Sequence, residues 1–488
     1  MALAHKIAYN VVFNSFLKVF STVALSLYSI RLITGYLGQD GFGKYSTVLA
    51  FFAFFSALAD LGLSSVTARE ISREGADEGK ILSKVLSLRL TSSLVVFLLA
   101  PFLVVFFDYP RDLKIGIFIA AGAILFSTLS LMLNGIFQKR VAMDKVALVE
   151  FLGKLFQVAI VILVVRADLG FLAIVSTLLA SLSFNAIIVF FLSRRFVQFS
   201  PKVDYAYWKK FLYESLPMGV TAIITFTYFK MDTILLSVLQ TSSHVGIYNV
   251  AYKIMENLIF FPAMLAGLIL PLLSRFIYTN RKRFEDIADK TFKVFVIIVI
   301  PIVAGTWFLS GNIIRIVSGD TFLESAPVLQ ILIFALGFIF FGNYFNMLLV
   351  VGNAQKKLMQ MLFFAAIFNL LLNAFLIPRF SYTGAAFASL ATEMFVVTLT
   401  SLLVYKYVHY IPSLESTGKI LFSGMVMGGV LFLLSPYSFF LSGISGVGAY
   451  IGMLWLTKAI SSEEIMSLFQ KEEDTPFSPV EPIETLNP

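Results

Sequence analysis

The chain has 488 residues, of which 58% are hydrophobic and 14% charged, with a mean hydropathy of +0.88 and a net charge of +8. That composition belongs to an integral membrane protein and excludes a water-soluble enzyme built around its own apolar core. There is no cysteine, so disulfides and thiolate metal sites are excluded, and the three histidines, His5, His244 and His409, lie too far apart in sequence to suggest a metal centre.

Apolar runs of about twenty residues suit a bilayer crossing. About fourteen occur, roughly at 11–34, 42–65, 85–107, 113–134, 146–165, 169–193, 213–239, 245–273, 292–310, 327–351, 358–377, 383–405, 418–435 and 437–457. The first is too long for a cleaved signal peptide and reads as a signal-anchor. With Lys6 placed in the cytoplasm, every second loop is basic. These loops carry Arg69, Arg73, Lys80 and Lys84; Lys139, Arg140 and Lys145; Arg194, Arg195, Lys202, Lys209 and Lys210; Arg275, Arg281, Lys282, Arg283, Lys290 and Lys293; Lys356 and Lys357; Lys406 and Lys419. The opposite loops hold only Arg111, Lys114, Arg166, Arg315 and Arg379. The positive-inside rule then puts both termini in the cytoplasm, in the cytoplasmic (inner) membrane. The basic surplus is thus a topology signal with a secondary role in lipid contact, and calls for no nucleic acid. No loop is long enough to fold into a catalytic domain.

A charge at bilayer depth costs about 2.5–3.5 kcal/mol on insertion scales, so each needs a partner, a wet cavity or a route to the interface. In span one, Asn10, Asn14 and Lys18 fall on one helix face at spacings of four, and Arg31 stands near the outer end, where it can equally snorkel. Asp60 and Arg89 lie towards the cytoplasmic face and can pair. In span five, Glu150 and Lys154 read as a structural i,i+4 pair. Span seven holds Lys230 and Asp232, which point in different directions and must find separate partners. Span eight carries Asn249, Lys253 and Glu256 on one face with Asn257 beside them; the lysine and glutamate could equally neutralise each other. Asn369 and Asn373 in span eleven read as interhelical hydrogen-bond glue. Glu393, near the middle of span twelve, has no basic neighbour within a turn. It fits either an interhelical salt bridge or a group that takes up a proton or sodium ion. Pro217, Pro262, Pro271 and Pro301 are kink or helix-end signals. From about Ser461 the chain turns acidic and Pro-rich, which predicts a disordered cytoplasmic tail.

Twelve spans repeat as two halves. "GQDGFGKYSTVLAFFAFFSAL" at span two and "TSSHVGIYNVAYKIMENLIFF" at span eight align Gly43 and Tyr45 with Gly246 and Tyr248. Gln138-Lys139-Arg140 matches Gln355-Lys356-Lys357, and Gly170 matches Gly384. Each half starts on the same side, so the repeat axis runs along the membrane normal, an arrangement that encloses a central cavity. The expected fold is an all-α polytopic membrane protein of about fourteen transmembrane helices. It comprises two pseudo-symmetric six-helix bundles (1–195 and 196–408), two additional helices (409–460) and the tail (461–488).

The stretches "RLITGYLGQDGFGKYSTVLAFFAFFSALADLGLSSVTAREISR", "DTILLSVLQTSSHVGIYNVAYKIMENLIFFPAMLAGLILPLLSRF" and "NAFLIPRFSYTGAAFASLATEMF" resemble, in that order, polysaccharide-biosynthesis flippases of the multidrug/oligosaccharidyl-lipid/polysaccharide exporter superfamily. The resemblance implies two six-helix bundles around a cavity and transport, without catalysis or a metal, of a polyprenyl-diphosphate-linked oligosaccharide of the O-antigen or exopolysaccharide type. Implied partners are that substrate, membrane lipids, and a polysaccharide polymerase with chain-length machinery. A lipid II flippase or a sodium- or proton-coupled drug exporter of the same superfamily are the alternatives, and a membrane polymerase lacks the large external loop it needs. On this reading Lys18, Arg31, Lys230 and Lys253 bind the diphosphate, Asn10, Asn14, Asn249 and Asn257 line the cavity, and Asp232, Glu256 and Glu393 serve a coupling proton or sodium ion, with no other cofactor.

Overall fold

Hydropathy separates spans wherever polar residues interrupt them, but backbone hydrogen bonding need not stop there. The computed structural model describes residues 20–459, with side chains from residue 23. Among these residues there are thirteen α-helices and no strand. They are α1 (Ser26–Asp60), α2 (Leu63–Ser72), α3 (Glu78–Val105), α4 (Arg111–Lys139), α5 (Met143–Arg166), α6 (Gly170–Arg194), α7 (Tyr205–Leu239), α8 (Ser242–Phe276), α9 (Arg281–Ser318), α10 (Ser325–Val351), α11 (Gln355–Val408), α12 (Thr417–Leu434) and α13 (Phe439–Leu456). All but α2 are long and apolar enough to cross a membrane, twelve in total.

The difference from fourteen lies in α1 and α11, each of which joins two expected spans across a single non-helical residue. In α1 this is Gly38, at φ +65°, a conformation glycine adopts without a Cβ penalty. In α11 it is Ser381, at φ +50°. The second break reverses the chain. A Cβ on Gly384 would meet the Leu376 carbonyl oxygen at 2.5 Å, whereas residues eight apart in a straight helix are about 12 Å apart. Asn369 likewise donates to Thr392 at 3.1 Å across the two arms. Elsewhere the helices outrun their apolar cores: α9 starts at Arg281 and not at 292, because an amphipathic polar turn stays helical outside lipid.

The chain divides into two compact units, residues up to Pro412 and from Ser413 onward. In the second, α12 and α13 pack on each other, with the Ser442 hydroxyl donating to the Leu434 carbonyl at 2.7 Å. In the first, the same packing pattern occurs twice: α4 lies against α1, α3 and α6, and α10 against α8, α9 and α11. These central helices hold much of the buried core, while large side chains such as Phe106 and Leu163 are exposed, as a lipid-facing surface requires.

The two halves meet where the repeat placed its glycines. A Cβ on Gly43 would lie 1.6 Å from the Ser242 carbonyl oxygen, and one on Gly246 would lie 2.2 Å from that of Gln39. Gln39 and Gly43 match Ser242 and Gly246 in the repeat, so the contact is reciprocal, as a two-fold axis demands. A second close crossing sits on the basic-loop side. Gly62, at φ +78°, packs on the backbone of Ser215 and Gly219, and Gly219 packs on Leu61. Beneath it Arg89, fully buried, pairs with Asp60 at 2.5 Å, and both contact the Ser64 hydroxyl.

The segment joining the halves is pinned to α3. The Lys202 amide donates to the Ser83 carbonyl at 3.0 Å, the Ser87 hydroxyl to the Lys202 carbonyl at 2.6 Å and the Trp208 indole to the Lys84 carbonyl at 3.2 Å. Lys84 pairs with Asp204 at 2.6 Å. That bond holds the Asp204 carboxyl below the usual carboxylate range, so the pair persists above the ordinary value and is lost only as pH falls through the lowered one.

Candidate functional site

The deep charges of α7 and α8 converge. Asp204 caps α7 by accepting from the Tyr207 amide, and Thr241 caps α8 by accepting from that of His244. These starts fix the register in which Lys230 and Glu256 face each other. Lys230 Nζ lies 2.6 Å from Glu256 Oε1, and Lys253 Nζ lies 2.7 Å from Glu256 Oε2. The neutralising pair allowed by the sequence therefore forms, but one carboxylate is shared by two lysines. Lys230 also sits 4.8 Å over the Tyr252 ring, and the Tyr252 hydroxyl donates to the Phe229 carbonyl at 2.5 Å.

A third lysine joins them from the other half. Lys154 of α5 donates to Gln157 at 3.1 Å and stands within charge–charge range of Lys253. Reading Lys154 only as the i,i+4 companion of Glu150 missed this. The signal was depth, because Lys154 is the twelfth of the twenty-four residues of α5. Lys230 also lies within charge–charge range of Asp232, so three ammonium groups stand with two carboxylates, a cationic surplus suited to an anion with several oxygens. The Glu256 side chain is 35% accessible, so an incoming anion can compete for its two partners.

Asp232 and Lys230 do find separate partners. Asp232 is buried and accepts from the Tyr248 hydroxyl and, at 2.7 Å, from the Thr233 amide. Asn249 accepts from the Thr233 hydroxyl at 3.2 Å and donates to the Val245 carbonyl, so it ties α7 to α8. Asn257 is buried and donates to the Lys253 carbonyl at 2.9 Å. Arg31 is not in the cluster: it is exposed and donates to the Arg315 carbonyl at 3.3 Å, at the end of α9. Lys18, Asn10 and Asn14 lie outside the described residues.

Glu393 is buried on α11, and its partner is the Tyr228 hydroxyl. It stands between two cavities. One, of about 210 Å³, is lined by α7, α10 and α11, including Thr225, Tyr228, Phe229, Asn343 and Asn346. The other, of about 20 Å³, has Asp232, Asn369, Ser389 and Thr392 in its wall. That is room for roughly one water. No group of three or more His, Cys, Asp or Glu side chains gathers into a metal site among the described residues.

Comparison with known proteins agrees with this architecture. The probable low-salt glycan biosynthesis flippase Agl15 of Haloferax volcanii is 24% identical over 474 residues, covering 93% of this chain and 94% of that protein. The probable flippase AglR of the same organism is 26% identical over 216 residues, 43% of this chain and 45% of that protein. The lipid II flippase MurJ in an inward closed conformation superposes with a TM-score of 0.75 at 15% identity, over 94% of this chain and all of that one. An inward-facing multidrug resistance MATE transporter of the MOP superfamily gives 0.62 at 13% identity, over 81% and 98%. These likenesses establish the shared fold of a multi-pass membrane protein, and the match of residues 7–277 to the family described as polysaccharide biosynthesis protein covers more than half the chain. With its paired halves and charged interior, the chain belongs to that family.

Proposed function

We propose that the chain is a flippase, not an enzyme, and that it moves a polyprenyl-diphosphate-linked oligosaccharide of the O-antigen or exopolysaccharide type from the cytoplasmic to the outer leaflet. The observation that carries this reading is the sharing of Glu256 by Lys230 and Lys253, with Lys154 of the first half within charge–charge range of Lys253. A diphosphate entering from the basic-loop side displaces Glu256 from its lysines while the polyprenyl tail stays in lipid. Rocking of the halves about their shared axis then opens the cavity to the other face. The named activity of the Haloferax relatives supports the same assignment.

The loop charges support both termini in the cytoplasm and a location in the cytoplasmic membrane. A polymerase and chain-length machinery are the natural acceptors of the delivered substrate. The oxygen-rich wall between Asp232 and Glu393 suits a proton or sodium ion, which would drive the return step.

Export of a lipid-linked glycan in cells, or flipping in vesicles, tests the reading. Lys154→Ala, Lys230→Ala and Lys253→Ala should each abolish transport at normal protein level, with partial rescue by Arg, which keeps charge and phosphate binding. Normal transport in all three variants would refute it, and saturable export of organic cations by the wild type would favour the drug-exporter branch.

A further inference from the structure

The 210 Å³ cavity lies within the second half, walled by α7, α10 and α11, and differs in chemistry from the lysine cluster beside it. No lining residue is cationic. The wall offers acceptors instead: the Glu393 carboxyl group, the Thr225 hydroxyl, which already donates to the Thr221 carbonyl, and the Asn343 amide oxygen, whose nitrogen donates to the Ile339 carbonyl. Asn346, also in the wall, has a buried Oδ1 with no partner. An unmet buried acceptor costs about 1–3 kcal/mol unless a ligand or water satisfies it. Two aromatic rings, Tyr228 and Phe229, and the aliphatic side chains of Ile224, Ile339, Leu362 and Val396 complete the wall.

A carboxyl group with no cation beside it disfavours phosphate, and amide and hydroxyl groups that both donate and accept suit a ligand dense in hydroxyls. The volume is far beyond the roughly 10–15 Å³ that one water needs and below the roughly 300 Å³ at which drug-sized pockets begin. It is therefore too wide for a bare ion and too small for an oligosaccharide. A single pyranose ring fits both limits, with hydroxyls for the acceptors and an apolar ring face for the aromatics.

Position adds a second argument, which rests on the proposed function. Phe229 lines this cavity, and Tyr252, whose hydroxyl donates to the Phe229 carbonyl, carries Lys230 of the cationic cluster over its ring at 4.8 Å. In a lipid diphosphate glycan the reducing-end sugar is joined to the diphosphate through one oxygen. A ligand with its diphosphate on the lysines therefore places that sugar one step away. We infer that this cavity binds the reducing-end pyranose of the lipid-linked glycan and sets which sugar the protein accepts.

Gly342 offers a way to crowd the cavity. A Cβ there meets Val397 at 3.8 Å and Val396 at 3.9 Å in ordinary contact with no backbone clash, so Gly342→Leu crowds the wall between α10 and α11. The full-length protein in nanodiscs should be titrated with farnesyl diphosphate and with farnesyl diphosphates bearing one glucose, galactose or N-acetylglucosamine. At least one sugar-bearing compound should bind tenfold or more tightly than farnesyl diphosphate. Gly342→Leu, Asn346→Leu and Thr225→Val should each erase that gain while leaving affinity for farnesyl diphosphate unchanged, whereas Lys230→Ala should weaken both. Equal affinity for all four compounds, or a sugar gain intact in Gly342→Leu and Thr225→Val, overturns the assignment alone. Failure of every compound to bind overturns the lipid-diphosphate reading and this inference with it.

Discussion

Replacing Gly43 by Ala places a methyl group 1.6 Å from the Ser242 carbonyl oxygen and 2.9 Å from the Gly246 nitrogen, both backbone atoms that no rotamer change can remove. Ordinary carbon–oxygen contacts begin at about 3.3 Å, so α1 and α8 must separate by roughly 1.7 Å at this point. Overpacking of that kind costs about 1–3 kcal/mol, and the cost falls only on states in which the helices cross closely. The closed crossing should therefore lose about 5- to 150-fold in population relative to open states. Because the chain has no native cysteine, nitroxides can be placed at Asp40 and Leu239 alone and their separation measured by pulsed electron resonance. Gly43→Ala should move the distance distribution outward and cut transport at least tenfold. Gly246→Ala, whose methyl would stand 2.2 Å from the Gln39 oxygen, should do the same more mildly. Gly35→Ala, in the same helix but with nothing within 4 Å, is the control and should leave both readouts at wild type. An unchanged distance distribution with normal transport in Gly43→Ala would refute the close crossing.

Four further outcomes are expected. Arg89→Ala strands the Asp60 carboxylate beneath α2 and should cost about 3–5 kcal/mol, read as a loss of folded protein in thermal denaturation, while Asp60→Leu/Arg89→Met should recover much of it. A cysteine at exposed Tyr278 should resist an impermeant reagent applied outside intact cells, and labelling there would invert the topology. Glu393→Gln, which mimics the protonated acid, should slow turnover and blunt the response to collapsing the proton and sodium gradients, with affinity for farnesyl diphosphate unchanged. Lys84→Ala should expose the 195–204 segment to protease at pH 7, whereas wild type should be equally protected at pH 7 and pH 5, because the Asp204 carboxyl is held below its ordinary range.

Hydropathy made most of the helices legible because a bilayer crossing demands apolar runs of that length. The breaks at Gly38 and Ser381 were not, since a single residue of left-handed backbone leaves no trace in a hydropathy average. Of the site, the Lys253–Glu256 spacing was readable within one helix, and Asp60 could be matched with Arg89 from depth. The approach of Lys154 to Lys253 was not, because the two stand on helices far apart in sequence. Arg31 was readable as a charge near a span end, but its bond to the Arg315 carbonyl of α9 was not. The aromatic and amide wall of the larger cavity stayed invisible because Tyr228, Asn343 and Asn346 come from helices distant in sequence.

The reciprocal contact of Gly43 and Gly246 bears on how such a chain can arise. A surface that matches its own copy needs no second, differently evolved partner, so two molecules of a half-length ancestor could have crossed through one glycine each. Gene fusion would then have changed only the effective concentration of one half around the other. After fusion the halves were free to diverge: Lys230, Lys253 and Glu256 could accumulate in one copy while the crossing that joins them still required glycine in both.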